Sequence, residues 1–271
     1  MKFRVKLRQL AASVSLVAAG AIVLSAAPAQ AFVFKANFTE ALFGNNAAKG
    51  DIFLESVTLE GDKVVSDFSL VNAVTIRENL STGAASADIG DLVETGTAEE
   101  DLTPEGAVAV LGNLNLNKII DVEDSGSFVM DLHFEQATDK FFLFERGRNS
   151  RLNVQALDAD GNTIGNVLEL SSRNWEYAGF DIDTKEIGSA QQVGSLGISL
   201  MDLGVSTGPI TALRLSSEGK SFNGPDFKLF GKIIFSRTTK RVPEPSVLLG
   251  MGVAAAGLLS VNRRNSQEQG A

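Results

Sequence analysis

The sequence predicts an all-β protein, an antiparallel sandwich of the jelly-roll type with one short helix. The clearest strand runs from Ser127 to Glu135, where apolar and polar side chains alternate with a period of two. The alternation recurs from Arg151 to Leu157, and turn residues at 158–162 then lead into a return strand from Thr163 to Leu170. Other short apolar runs bring the total to roughly ten strands, which favours a sandwich over a parallel α/β fold.

The remaining elements follow from the same patterns. Further strands are predicted over residues 64–70, 71–77, 175–182, 196–200, 210–215 and 227–235. One helix is predicted to begin near Pro104, because Thr103 can cap it and Glu105 suits the positive end of its dipole. The stretch from Asn79 to Asp101 is rich in small residues and acids, and we expect it to be an exposed loop.

The composition excludes several classes of function. Among 271 residues there is no Cys and one His, which excludes disulfides, thiolate metal sites and a metal site built from several His residues of one chain. The chain has 24 basic and 33 acidic residues, for a net charge of −9. This acidic balance argues against nucleic-acid binding, which needs clustered Lys and Arg.

Residues 1–31 have the organisation of a secretory signal peptide. Four basic residues and no acid precede an apolar run from Leu10 to Leu24, and Ala29 and Ala31 supply small side chains at the −3 and −1 positions of a cleavage site. An uncleaved membrane anchor is the alternative, but the run is short against the roughly 20 residues that span a bilayer. We therefore expect export through the Sec translocon and cleavage by signal peptidase after Ala31.

Residues 242–271 form a second targeting segment. It opens with a short polar motif made of Val242, Pro243, Glu244 and Pro245. A glycine-interrupted apolar run from Ser246 to Val261 follows, at the lower limit of length for a transmembrane helix. Arg263 and Arg264 come next, and the positive-inside rule keeps them in the cytoplasm and the main body outside.

This order of motif, marginal helix and arginine cluster over residues 242–265 resembles the PEP-CTERM sorting domain. The resemblance implies recognition and removal of the tail by an exosortase, a membrane-embedded cysteine transpeptidase, after transient anchoring in the inner membrane. It also implies a Gram-negative-type envelope and a connection to extracellular polysaccharide. A plain C-terminal membrane anchor is the alternative interpretation.

Removal of both ends leaves residues 32–241, a single predicted domain. The leader carries +4 and the tail is neutral, so this body carries −13. Three blocks, at residues 111–128, 144–158 and 223–228, resemble cyanobacterial-type exosortase-dependent surface proteins. That resemblance implies a cell-surface location and supplies no catalytic residues. We therefore expect a non-enzymatic envelope or extracellular-matrix protein without a cofactor; the alternatives are a carbohydrate- or calcium-binding module that tethers exopolysaccharide, and a polysaccharide hydrolase.

One turn concentrates positive charge in the acidic body. Arg146, Arg148 and Arg151 fall between two predicted strands, and their guanidinium groups could bind carboxylates or sulfates of an acidic glycan. The alternative, which we favour, is that they pair with acids of the domain and fix the turn.

Aromatic residues give a second candidate for glycan binding. Trp175 and Tyr177 lie two apart on a predicted strand, so they are expected to share a face on which a sugar could stack. Packing in the core is the commoner role of such residues. His133, the only imidazole, lies on the polar face of its strand and is expected to be a surface residue rather than a base or a ligand.

A calcium site is considered at Asp158, Asp160 and Asn162, whose spacing matches the start of an EF-hand loop. Glu169 occupies the twelfth position, but Thr163 stands where glycine is required and no helices flank the segment. A hairpin turn is therefore the preferred interpretation. Asp181, Asp183 and Asp226 are further candidates for a calcium site that the sequence cannot bring together.

Overall fold

The computed structural model describes residues 31–80, 84–90, 97–184 and 188–234, and within them fifteen β-strands and one α-helix form. The first eight strands and the helix are β1 Lys35–Glu40, β2 Ile52–Leu59, β3 Lys63–Val65, β4 Phe68–Ser69, β5 Val71–Asn79, β6 Ala85–Asp88, β7 Thr97–Glu99, α1 Pro104–Leu111 and β8 Ile119–Val122. The others are β9 Ser127–Arg146, β10 Leu152–Leu157, β11 Thr163–Leu170, β12 Glu176–Ile182, β13 Gln191–Ser199, β14 Ile210–Glu218 and β15 Asp226–Ile233.

These strands form two sheets. The small sheet has the order β1-β2-β3, and the large sheet joins the other twelve strands, with β9 at its centre. The first half of β9 pairs with β5 and β14, and its second half pairs with β13. The strand pairs of defined register within the described residues are antiparallel, so the predicted class, an antiparallel β-sandwich with one short helix, is confirmed.

The strand β9 supplies side chains to both hydrophobic cores. Phe128, Met130, Leu132 and Phe134 pack into a core that also holds α1, as the predicted alternation requires. In the first half of β9 the even-numbered side chains face the first core. Between Phe134 and Phe141, where the register with β14 also shifts, the alternation changes sides. In the second half, the odd-numbered side chains therefore face the first core and the even-numbered ones face a second core.

The second core lies against the small sheet and is rich in phenylalanine. Phe142 has edge-to-face contacts with Phe34 and Phe68, at 5.1 and 5.9 Å between ring centroids. Phe144 contacts Phe34 and Phe230 at 5.5 and 6.1 Å. Edge-to-face pairs of this kind add stabilisation to that of apolar burial alone. Phenylalanine side chains of this second core therefore pack the two sheets together.

The helix α1 begins as predicted. Thr103 is its N-cap, and the Thr103 hydroxyl accepts a hydrogen bond of 3.0 Å from the backbone N–H of Gly106. The carboxylate of Glu99 in turn accepts hydrogen bonds from the Thr103 N–H at 3.0 Å and from its hydroxyl. Because the cap is anchored to β7, the entry of the helix is fixed relative to the sheet.

Replacing Thr103 by Ala should destabilise the protein by about 1 kcal/mol, because one N-terminal N–H group of the helix loses its acceptor. Urea denaturation measures this change in the free energy of unfolding. Thr103→Ser keeps the hydroxyl and should retain most of the stability. Equal stability of the Ala variant and the wild type would contradict the capping role.

The expectation of an exposed loop from Asn79 to Asp101 is wrong for part of its length. The strand β6, Ala85–Asp88, is buried at every position and pairs with β8, and β7 pairs with β6. Ala85 and Ala87 belong to the first core. Their small side chains leave room for close packing and give little hydrophobic signal in the sequence, which is why the strand was not predicted.

Candidate functional site

The three arginines of the predicted basic turn have three different environments. Arg146 ends β9 and is 2% exposed. Its Nη2 donates hydrogen bonds to Asp121 Oδ2 at 2.9 Å and to Asp226 Oδ2 at 2.8 Å, and Nη1 donates to the hydroxyl of Thr184. The guanidinium is therefore enclosed by protein, an arrangement that corresponds to internal pairing and leaves Arg146 out of reach of a glycan.

Charge explains why this buried arginine stays ionised. Burial by itself would lower the pKa of Arg146, but the carboxylates of Asp226, Asp121 and Asp88 raise it above its ordinary value. The pKa of Asp226 is raised, first by its own burial and then by the nearby Asp121 charge. Within the described residues, the Arg146 cation thus pairs directly with two buried acids, Asp121 and Asp226.

The other two arginines lie nearer the surface. Arg148 is in the left-handed region at φ 57°, and its guanidinium donates to Trp175 O at 3.1 Å and to Gln192 Oε1 at 2.9 Å. Arg151 is exposed, and its Nη1 lies 3.7 Å from Glu169 Oε1. Within the described residues, the three arginines thus share no common surface, and each has a carboxylate, amide or carbonyl partner of the protein.

Trp175 and Tyr177 do not form the expected shared platform. Trp175 precedes β12, is 3% exposed and donates from Nε1 to Ser150 O at 3.1 Å. Tyr177 is 46% exposed. The strand is irregular between Tyr177 and Asp181, and Trp175 lies outside it, so the alternation of a regular strand does not apply.

The segment considered for calcium binding, residues 158–162, is a hairpin turn between β10 and β11. The Asp158 carboxylate accepts hydrogen bonds from the N–H groups of Asp160 and Asn162, at 2.9 and 2.8 Å. These bonds, first among them those from Asn162, lower the pKa of Asp158. Within the described part of the chain, no group of three or more His, Asp or Glu side chains is placed to hold a metal ion.

His133 is half-buried on β9, between Asp131 and Glu135. Asp131 itself is 1% exposed, since Arg77 and Arg214 donate to its carboxylate at 2.5 and 2.7 Å. Burial would raise the pKa of Asp131, but the hydrogen bonds and charges of Arg214 and Arg77 hold it below its ordinary value. The polar side of this strand is therefore partly covered by ion pairs.

Lys228 and Glu145 are buried ionisable residues whose burial the sequence did not predict. Lys228 is fully buried and its Nζ donates to Val110 O, at the end of α1, and to Asn113 Oδ1 at 3.1 Å. Burial, with Lys118 nearby, lowers the pKa of Lys228. Glu145 is also fully buried, and neither carboxyl oxygen has a hydrogen bond of acceptable geometry within the described structure.

An open cleft of 460 Å³ lies where β12 faces the loop after β1. Tyr177, Gly179 and Asp181 line its β12 side, and the Tyr177 hydroxyl donates to Asp181 Oδ1 at 3.1 Å. Glu40, at the end of β1, and the following loop line the other side. That loop supplies the amide side chains of Asn45 and Asn46. The sequence signal for this loop is the Gly-Asn-Asn turn at residues 44–46.

The residues predicted for processing, Ala29 and the motif and arginines after residue 241, lie outside the described residues. Ala31 is described, and it is half-buried beside the first core. No helix among the described residues is long and apolar enough to cross a bilayer.

Comparison with known proteins gives distant likenesses. No protein-family model matches the chain, and no curated protein matches it. Among solved structures, the enzymatically active domain of tailspike protein 4 from bacteriophage CBA120 is 11% identical at a TM-score of 0.31, over 59% of this chain and 19% of that chain. The lectin-binding domain of lectinolysin complexed with Lewis b is 9% identical at a TM-score of 0.27, over 59% of this chain and 99% of that chain. At this level of similarity they carry no argument about function.

Proposed function

We propose that this chain is a non-enzymatic protein of the cell envelope or extracellular matrix, exported through the Sec pathway and processed at its C-terminal tail by an exosortase. One observation carries the proposal: the sequence of the tail combines Pro243, Glu244 and Pro245 with a short apolar run and then an arginine pair, in that order. The leader peptide at the other end supports it, since a sorting tail acts on a protein that has already been exported.

The N-terminal edge of the body fits a cleavage after Ala31. Phe32 exchanges two backbone hydrogen bonds of 2.8 Å with Gly197 of β13, and its ring packs edge-to-face on Phe142 at 6.1 Å. The Lys140 ammonium lies 5.1 Å from the same ring. Phe32 would thus remain attached to the sheet as the first residue of the mature chain.

Intact mass spectrometry of protein recovered from the outer surface and medium of the producing cells tests the proposal. The mature form should begin at Phe32 and should lack Arg263 and Arg264. A surface form that retains both arginines would overturn the processing step. A full-length chain in the cytosol, uncut at both ends, would overturn the proposal as a whole.

Substitutions in the tail sharpen this test. Replacing Pro243, Glu244 and Pro245 together by Ala should leave the uncut precursor in the inner membrane, because the motif is lost while the apolar run and the arginines remain. Glu268→Ala is a matched control, since it removes an acid of the same tail downstream of the apolar run. Normal processing of the triple variant would contradict the role of the motif.

A second candidate function is carbohydrate binding by the body, as a module that tethers exopolysaccharide. The observation that favours it is the exposed ring of Tyr177 beside carboxylate and amide side chains in an open cleft. Aromatic rings and planar polar groups are the usual means by which proteins bind sugars.

A further inference from the structure

Gly179 is a lining residue of the cleft beside β12 and has no side chain. Gly179 lies between Tyr177 and Asp181, and its φ of 95° is in the left-handed region, which favours glycine. A Cβ built at Gly179 would have its nearest neighbour at 4.0 Å, the ring of Phe38. A methyl group at this position would therefore meet the Phe38 ring at an ordinary van der Waals distance, without a steric clash.

The aromatic wall of the cleft is held in position. Tyr177 donates to Asp181 at 3.1 Å, and the Arg148 guanidinium lies 5.8 Å from its ring centroid. Arg148 is fixed in turn by its bonds to Trp175 O and Gln192. A ring that is ordered before binding and still 46% exposed loses little conformational freedom when a ligand packs on it.

The opposite wall offers both acceptors and donors. Asn46 Oδ1 accepts a hydrogen bond of 3.0 Å from Ala48 N–H, which orients the side chain and leaves its NH₂ group as a donor. Asn45 and Glu40 are exposed at the surface of the cleft. Paired hydroxyl groups of a sugar can donate to a carboxylate while they accept from an amide, so these side chains suit a polyol.

The charge of the cleft selects among sugars. Glu40 and Asp181 place two carboxylates in its lining, whereas Arg148, beside the Tyr177 ring, is not a lining residue. The body as a whole is strongly acidic. A uronic acid or sulfated sugar would be repelled there. The ligand expected for the cleft is therefore an uncharged sugar. The acidic glycan expected from the basic turn has no site there, since Arg146 of that turn is enclosed.

We propose that this cleft binds an uncharged hexopyranose unit of a polysaccharide, with the C–H face of the ring on Tyr177 and its hydroxyls on Asp181, Glu40 and the Asn45–Asn46 amides. The inference deepens the second candidate function and rests on the proposed function only for the extracellular location in which such a polymer is met.

Isothermal titration of the full chain, purified in mild detergent, with cellohexaose, mannohexaose and galactohexaose tests the proposal. At least one should bind with a Kd of about 1 mM or tighter, and polygalacturonate should not bind. Binding of none of the three neutral oligosaccharides would overturn it, as would preferential binding of polygalacturonate. Loss of binding in EDTA would also overturn it, since the sugar would then be held through a metal.

Variants at the lining residues test whether the cleft is the binding site. Tyr177→Ala should weaken binding about tenfold or more, whereas Tyr177→Phe keeps the ring and should retain most of the affinity. Asp181→Asn should weaken it several-fold, and Asp160→Asn in the distant hairpin turn is the matched control. Unchanged affinity of the Tyr177→Ala variant would overturn the assignment of the cleft.

Gly179→Ala adds a methyl group at a residue that lines the cleft and should reduce binding. Gly161→Ala is its control, because Gly161 also has a positive φ, 80°, and a Cβ there would also have its nearest neighbour at 4.0 Å, but it lies in the β10–β11 turn. The two variants should lose similar stability, and only the first should lose binding; equal binding by both would contradict a ligand beside Gly179. Titration uses purified protein, so failure here leaves the sorting proposal intact, and failure of tail processing leaves the cleft intact.

Discussion

Replacing Arg146 by Met should destabilise the protein by about 3–5 kcal/mol, because it leaves buried carboxylates without their cation. Asp121 and Asp226 each have a hydrogen bond from the guanidinium, at 2.9 and 2.8 Å, and Asp88 adds a further negative charge nearby. Methionine has a similar length and fills much of the space, so the loss reports the charge more than a cavity. Urea denaturation at neutral pH measures it as a change in the free energy of unfolding.

The matched control is Arg151→Met. Arg151 belongs to the same turn, but it is exposed and lies 3.7 Å from an exposed Glu169, so its removal should cost less than about 1 kcal/mol. The loss of stability in the Arg146→Met variant should become smaller as the pH falls, because the carboxylates left without a cation can then be protonated. A loss no larger than that of the Arg151 variant would show that the buried cluster does not depend on its arginine.

The fold could be predicted where the alternation of side chains is strict. The first half of β9 and the hairpin of β10 and β11 were predicted because apolar and polar residues alternate there and turn residues separate them. The second half of β9 was missed because it is buried on both faces, so Phe141–Phe144 are apolar without interruption. The first two strands, β1 and β2, were also not predicted.

The environment of each candidate residue could not be predicted in the same way. Sequence spacing placed Arg146 and Arg148 in one turn, but their roles depend on Asp121, Asp226 and Trp175, which come from distant parts of the chain. The cleft similarly needs the loop after β1 to face β12. Such long-range proximity follows from sheet topology, which local patterns do not determine.

Glu145 should make the protein less stable as the pH rises, and Glu145→Gln should remove that effect. Burial raises the pKa of Glu145 to about 8, although the Ser150 hydroxyl, the nearby backbone N–H groups and the Arg146 charge each lower it. With the ordinary value of 4.5, the unfolded chain releases the proton at a far lower pH than the native protein does.

This difference in pKa makes the free energy of unfolding fall as the pH rises. Below about pH 4.5 the carboxyl is protonated in both states, and its favourable contribution to stability is fully present. Between 4.5 and about 8 the unfolded state is ionised while the native state still holds its proton, so stability falls by about 1.4 kcal/mol for each pH unit. Above about pH 8 both states are ionised, and the loss levels off at a few kcal/mol.

Glutamine has the shape of the protonated acid and does not titrate, so the Glu145→Gln variant should be more stable than the wild type at pH 7 to 9, by on the order of 3 kcal/mol. The difference between the two proteins should vanish toward pH 4. Urea denaturation of both proteins across this range compares two chains that differ in this one titrating group. Glu135→Gln, at an exposed position of the same strand, should change neither stability nor its pH dependence. A Gln variant whose stability falls with pH as steeply as that of the wild type would mean that Glu145 is ionised, with a partner, in the folded protein.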